Sequence, residues 1–237
     1  MFGKNIIMKA ERGDGSLLSV NSIFYTIQGE GPNAGQTAVF IRLAGCNLRC
    51  HFCDTDFDTF QVQMHVDDIV GLVREVMQPH CRLAVITGGE PLRQPIGLLV
   101  RRLRAELGMR TQVETAGTLW PEGLDPREGI EIVCSPKTGS VHPVVEEYCT
   151  DWKYIFKEGE QSLEDGLPAM STQIAGNPAK IYRPKRGIIW VQAMEEYYPD
   201  GTPNRERTQK NLEGAAAAAM RFGYRLTVQM HKLANLE

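Results

Sequence analysis

Apolar residues follow two alternating rhythms along this chain. Short runs rich in β-branched residues alternate with stretches whose apolar positions return every three or four residues. The runs occupy residues 37–43, 83–87, 110–114, 131–135, 152–156, 187–192 and 225–229, and each reads as a strand. Between them, Asp67 and Asp68 can cap a helix with Ile69, Val70, Val73, Val76 and Met77 on its apolar face, ending before Pro79. Residues 95–107 form a second helical stretch, with Leu98, Leu99, Leu103 and Leu107 in register and Gly108 as its stop. A third covers residues 206–222, where an alanine run has high intrinsic helix propensity and Gly223 ends it. Residues 157–185 mix Gly, Pro and Ser with no clean period, so they read as loop with room for one short helix.

Strands alternating with helices imply parallel pairing through right-handed crossovers. The expected fold is therefore α/β: an incomplete, open parallel β/α barrel of six to seven strands. It runs as one domain over residues 1–237, with residues 1–20 as an amino-terminal extension.

Composition narrows the function classes. The net charge of −3 supplies no basic field for nucleic acid or an anionic membrane, and no apolar run approaches the ~20 residues of a membrane span. Residues 1–20 have no apolar core and carry Lys4, Lys9, Glu11, Arg12 and Asp14, unlike a secretory leader, so a cytoplasmic location is expected. Thiols in such a chain are metal ligands or buried apolar side chains rather than bridges.

Cys46, Cys50 and Cys53 lie within eight residues and follow the first run directly. A closed zinc site takes four protein ligands and an all-cysteine iron–sulfur cluster takes four thiolates. Three thiolates leave one iron open, and no second cysteine pair exists, since Cys81, Cys134 and Cys149 stand apart. His51, inside the triplet, could be a fourth ligand only with strained geometry. Polar segments also recur where strands should end: Thr87-Gly88-Gly89-Glu90-Pro91, Glu114-Thr115-Ala116-Gly117, Ser135-Pro136-Lys137 and Gln192-Ala193-Met194-Glu195. Each alone is a turn; in parallel α/β folds ligands gather at the carboxyl ends of strands, so together they describe one site.

The cysteine spacing, with Phe52 before the third cysteine, and the Gly-Gly-Glu-Pro segment resemble the radical S-adenosylmethionine (SAM) superfamily. Residues 22–35, with Ile27-Gln28-Gly29-Glu30-Gly31, and the segments 40–55, 85–91, 113–118, 135–137 and 229–232 are similar to one branch of it. That branch contracts 6-carboxy-5,6,7,8-tetrahydropterin to a carboxylated deazaguanine with loss of ammonia, feeding queuosine and other 7-deazapurines. The resemblance covers residues 20–237; Ala193 and Met230 depart from it, standing where proline and threonine are usual.

The resemblance implies a radical SAM lyase with a [4Fe-4S] cluster, SAM regenerated as a true cofactor, and Mg2+. The cluster ligands are Cys46, Cys50 and Cys53, with SAM at the fourth iron. SAM is held by His51, Phe52, Gly89, Ser135, Pro136, Lys137, Gln192, Ala193, Met194 and Glu195. The pterin is contacted by Ile27, Gln28, Gly29, Thr87 and, from a tail (residues 225–237) folded over the site, His231 and the terminal Glu237. Thr55 is the magnesium ligand, although Asp54 looks better on charge. Two further substrate contacts have a reading of their own. Glu114, acidic at a strand end, is either a helix or turn partner or a group that accepts from the adjacent amine and ring N–H of the pterin. Arg42, a lone cation in the apolar Phe40-Ile41-Arg42-Leu43 run, either pairs internally or points at a ligand, where its planar fork suits a carboxylate. A flavodoxin or ferredoxin as electron donor and a homodimer are implied as well. The rival readings are a glycyl-radical-enzyme activase, an iron–sulfur electron carrier and a zinc-binding interaction module.

Overall fold

The computed structural model describes residues 5–53, 55–57, 60–173 and 179–236. Its centre is a nine-stranded sheet. The strands are β1 (Leu17–Ile27), β2 (Thr37–Leu43), β3 (Val62–His65), β4 (Leu83–Gly88), β5 (Arg110–Thr115), β6 (Ile130–Cys134), β7 (Asp151–Phe156), β8 (Ile188–Ala193) and β9 (Arg225–Thr227). Their order is β3-β1-β2-β4-β5-β6-β7-β8-β9, and β9 does not pair back onto β3, so the sheet stays open. From β2 to β9 every pairing is parallel. These are the seven strands read from the apolar runs, within a residue or two at their ends.

β1 and β3 extend the sheet beyond that reading. Both pair antiparallel, β1 with β2 and β3 with β1. A bulge between Val20 and Ser22 explains why β1 is hard to see in the sequence. One extra residue flips the side-chain parity mid-strand, so no single period of two runs through it. Leu17 to Val20 are therefore sheet, not extension.

The helices are α1 (Val66–Val76), α2 (Gly97–Leu107), α3 (Pro143–Tyr148), α4 (Arg205–Phe222) and α5 (Met230–Leu233). Gly108 and Gly223 end α2 and α4 in the left-handed conformation. Asp67 and Asp68 lie in the first turn of α1 rather than at its cap, which is His65. There they still favour the positive end of the helix dipole. Residues 157–173 and 179–185 contain turns and isolated bridges but no helix.

Side-chain parity divides the sheet into two faces. Val39, Ile41 and Leu43, then Ala84 and Ile86, Val113, Ile132 and Cys134, then Trp152, Tyr154 and Phe156, and Val191 form one buried core with the helices. The alternate positions, among them Phe40, Arg42, Thr87, Glu114, Val133, Lys153, Ile155 and Gln192, face a cavity instead. The charged strand residues thus share one parity, and that parity builds the site.

Candidate active site

The cavity has a volume of about 560 Å³ and sits over the inner sheet face at the carboxyl ends of the parallel strands. Cys46, Cys50 and Cys53 line one wall, on the loop that follows β2. Among the described residues, no three His, Cys, Asp or Glu side chains are gathered tightly enough to hold a single metal ion. Three cysteines lining one cavity are the donor set for a cluster that keeps one iron open. Burial pushes the Cys46 thiol up to about 12, against a hydrogen bond from the Leu48 amide. A cationic cluster must offset that burial to keep the thiolate.

The loop is braced from three sides. Residues 5–11 run along it: Met8 N donates to Cys46 O at 2.8 Å, Asn5 Nδ2 to Leu48 O at 2.8 Å, and Arg49 Nε to Asn5 O at 2.9 Å. The buried Arg93 donates to Ala44 O at 3.0 Å and to Glu11 at 2.7 Å. On the third side the backbone holds it: His51 N donates to Thr172 O at 3.2 Å, and Cys50 forms a bridge with Gln173.

The Gly88-Gly89 pair joins β4 to this loop. A Cβ on Gly88 would lie 2.0 Å from Leu43 O, and one on Gly89 would lie 2.3 Å from Gly45 O and 2.9 Å from Cys46 Cβ. Backbone fills both positions, so glycine is required by internal packing. Gly89 itself still lines the cavity. Glu90 is fully buried and accepts from the Thr115 hydroxyl at 2.7 Å, Ala116 N at 2.8 Å and Leu92 N at 3.0 Å. It ties the ends of β4 and β5 together and does not line the cavity, and burial pushes its carboxyl above the usual range.

Arg42 and Glu114 face the same space. The Arg42 guanidinium lies 5.1 Å above the Phe24 ring, and its buried Nε has no hydrogen-bond partner among the described residues. An unpaired buried donor costs about 1–3 kcal/mol, which an anionic ligand would relieve. Glu114 Oε1 accepts from Gln28 Nε2 at 2.9 Å and from Gln112 Nε2 at 3.0 Å. Both amides bond the same oxygen, and the Glu114 side chain lines the cavity.

The remaining expected residues fall as follows. Ile27, Gln28, Thr87, Phe52, Ser135, Lys137, Gln192, Ala193, Met194, Glu195, Thr55 and His231 all line the cavity. Gly29 lies behind His231, close enough that a Cβ would clash with its ring. His51 and Pro136 do not line it; His51 is exposed with its ring edge-on to Phe52 at 5.1 Å, and Pro136 is buried. Glu237 and Asp54 lie outside the described residues. Asp56, beside Thr55, adds a carboxylate to the wall.

Lys153 escaped the sequence reading although its signal matches that of Arg42: a lone cation inside an apolar strand. It pairs with Glu30, both side chains being about nine-tenths buried (9% and 12% exposed). Gln229 Nε2 and Gln192 Nε2 also donate to Glu30, at 2.9 and 3.2 Å. Burial opposes the Glu30 charge, but Lys153 and Gln229 overcome it and hold the carboxyl well below its usual range. Glu195 takes bonds from Tyr197 and from Lys232 on α5. Burial lowers the Lys137 ammonium, which lies 5.7 Å from the Phe52 ring centroid. The cavity is thus anionic and cationic by turns, suited to a zwitterionic ligand beside a carboxylated one.

Residues 40–128 match the Radical SAM superfamily profile. The whole chain aligns with the whole 7-carboxy-7-deazaguanine synthase of Rhodospirillum rubrum at 44% identity. It also aligns with the enzyme of the same name from Rickettsia prowazekii at 36% identity, over 100% of this chain and 96% of that one. The one from Halobacterium salinarum is 31% identical over 92% and 91%. The crystal structure of QueE from Escherichia coli shares the fold, with a TM-score of 0.63 and 22% identity over 90% of this chain and 94% of that one. With full-length identity of that order and the triplet on one cavity wall, the chain belongs to the 7-carboxy-7-deazaguanine synthase family of radical SAM enzymes.

Proposed function

We propose that this chain converts 6-carboxytetrahydropterin to 7-carboxy-7-deazaguanine, with loss of ammonia, as a radical SAM lyase. The observation that carries the reading is that one cavity joins the three cysteines to Arg42 and Glu114. The bound cluster and SAM supply hydrogen-atom abstraction, the hard chemistry a protein side chain cannot perform.

The chain's own groups bind, orient and enclose. Cys46, Cys50 and Cys53 hold three irons. Ser135, Lys137 and the Gln192-to-Glu195 segment, polar strand ends on the same rim, hold SAM with Gly89 and Phe52. Arg42 takes the substrate carboxylate through its planar fork. Glu114, fixed by Gln28 and Gln112, accepts the paired N–H groups of the pterin edge. His231 closes the cavity from the tail. Thr55, which lines the cavity beside Asp56, would hold Mg2+, a hard cation that takes oxygen ligands.

The enzyme acts on a small molecule and needs a reductant. A flavodoxin or ferredoxin is the proposed donor, in a cytoplasmic homodimer; no helix among the described residues is long and apolar enough to cross a membrane. A glycyl-radical activase must admit a loop of a partner protein. The tail contacts with Gly29 and Glu195 speak for an enclosed pocket of small-molecule size instead. Anaerobic reconstitution tests the cofactor half of the proposal. Four irons per chain, with a spectrum that changes on adding SAM, are expected; bound zinc without iron would overturn it.

A further inference from the structure

Two side chains donate hydrogen bonds to Cys50 Sγ: the Thr172 hydroxyl at 3.2 Å and Gln173 Nε2 at 3.2 Å. Both belong to the irregular segment between β7 and β8, remote in sequence from the cysteine loop. Their placement is fixed by other bonds. Cys50 and Gln173 form an antiparallel bridge. His51 N donates to Thr172 O at 3.2 Å, and Thr172 N donates to Lys137 O at 3.2 Å. The Ser171 hydroxyl donates to Lys137 O at 3.0 Å. Gln173 Oε1 accepts from Arg49 N at 2.9 Å, so its NH₂ end must face the sulfur.

A neutral thiol is a weak acceptor, and two fixed donors gain little from it. An iron-bound thiolate carries negative charge and accepts strongly. We propose that Thr172 and Gln173 raise the reduction potential of the cluster by donating to the Cys50 sulfur. The inference rests on the reading of Cys50 as an iron ligand. The step concerned is a one-electron transfer: a low-potential one-electron donor is oxidised and the cluster is reduced from its 2+ to its 1+ state. No bond forms or breaks and no proton moves. The added electron increases charge on the ligand sulfurs. Donors aimed at one of them therefore stabilise the reduced state more than the oxidised one, and hydrogen bonds to sulfur are among the factors that set such potentials. Thr172 and Gln173 are positioning residues in this sense; neither touches the reacting atoms.

The test is an anaerobic redox titration of the reconstituted enzyme, followed by electron paramagnetic resonance, on wild type, Thr172→Val, Gln173→Met and Thr172→Ser. Thr172→Val and Gln173→Met should keep full iron while each shifts the reduction equilibrium about tenfold toward the oxidised cluster, about 59 mV for a one-electron couple. Thr172→Ser, which keeps the hydroxyl, should stay near wild type. Full iron with an unshifted potential in both donor-deleted variants overturns the proposal. Loss of iron from both overturns it too, because the donors would then hold the loop rather than tune the electron. If one of the two loses iron, the potential of the other decides. A wild-type protein without its four irons would sink the cluster reading itself, before any variant is compared.

Discussion

A methyl group on Gly29 would lie 2.1 Å from His231 Nδ1 and 2.9 Å from the His231 backbone nitrogen. Gly29 O also accepts from Met230 N at 3.2 Å, so the loop after β1 and the tail helix α5 meet backbone to backbone. Gly29→Ala should push His231 off the cavity and raise the pterin KM by at least about tenfold, roughly 1.4 kcal/mol of binding. The melting temperature should fall only slightly, because the part that must yield is the short tail helix α5, which buries no residue, and not the core. Deleting residues 234–237 should act in the same direction. Steady-state kinetics check both, and an unchanged KM in both would dismiss the closed tail.

The Glu30–Lys153 pair is buried, so removing one partner strands the other. Glu30→Gln or Lys153→Met should cost about 3–5 kcal/mol in denaturant unfolding, and replacing both together should cost less. The pH dependence has a defined sign. The Glu30 carboxyl is lowered from 4.5 to about 2, so its contribution is fully present above pH 4.5 and is lost as pH falls toward 2. Acid unfolding of Glu30→Gln should show a shallower loss across that window. Parallel acid profiles for the variant and wild type would contradict the pairing.

Glu114 should matter to substrate and not to the fold. Glu114→Gln keeps the volume but replaces an acceptor with a donor beside the pterin N–H groups. A rise in KM of about ten- to a hundredfold is expected, the range of a lost charge-assisted hydrogen bond. SAM-induced spectral changes should persist. Their loss would place Glu114 at the cofactor instead.

Residues 5–11 brace the cysteine loop through Met8, Asn5 and Glu11. A chain lacking residues 1–12 should fold, judged by circular dichroism, yet lose iron faster to a chelator than the full chain does. Equal rates would make the segment an appendage.

Much of the fold was legible because the parallel strands are buried enough to read as apolar runs, as in residues 83–87 and 152–156. β1 was not, because its bulge hides the alternation and its outer partner, Val62–His65, is short and mostly exposed. In the site, Arg42 stood out as a cation in an apolar strand, and Lys153 should have stood out for the same reason. Thr172 and Gln173 left no signal. Their role comes from a long-range bridge to Cys50, which no local pattern encodes. Glu90 was read only as part of a glycine-rich turn, whereas three hydrogen bonds make it a buried clasp between strand ends.

Anaerobic incubation of the reconstituted enzyme with SAM, a low-potential reductant, Mg2+ and 6-carboxytetrahydropterin puts the whole reading at stake. Mass spectrometry should find 7-carboxy-7-deazaguanine and ammonia in equal amounts, with SAM undiminished and turnover falling when Mg2+ is chelated. An intact pterin beside a fully loaded, SAM-responsive cluster would contradict it.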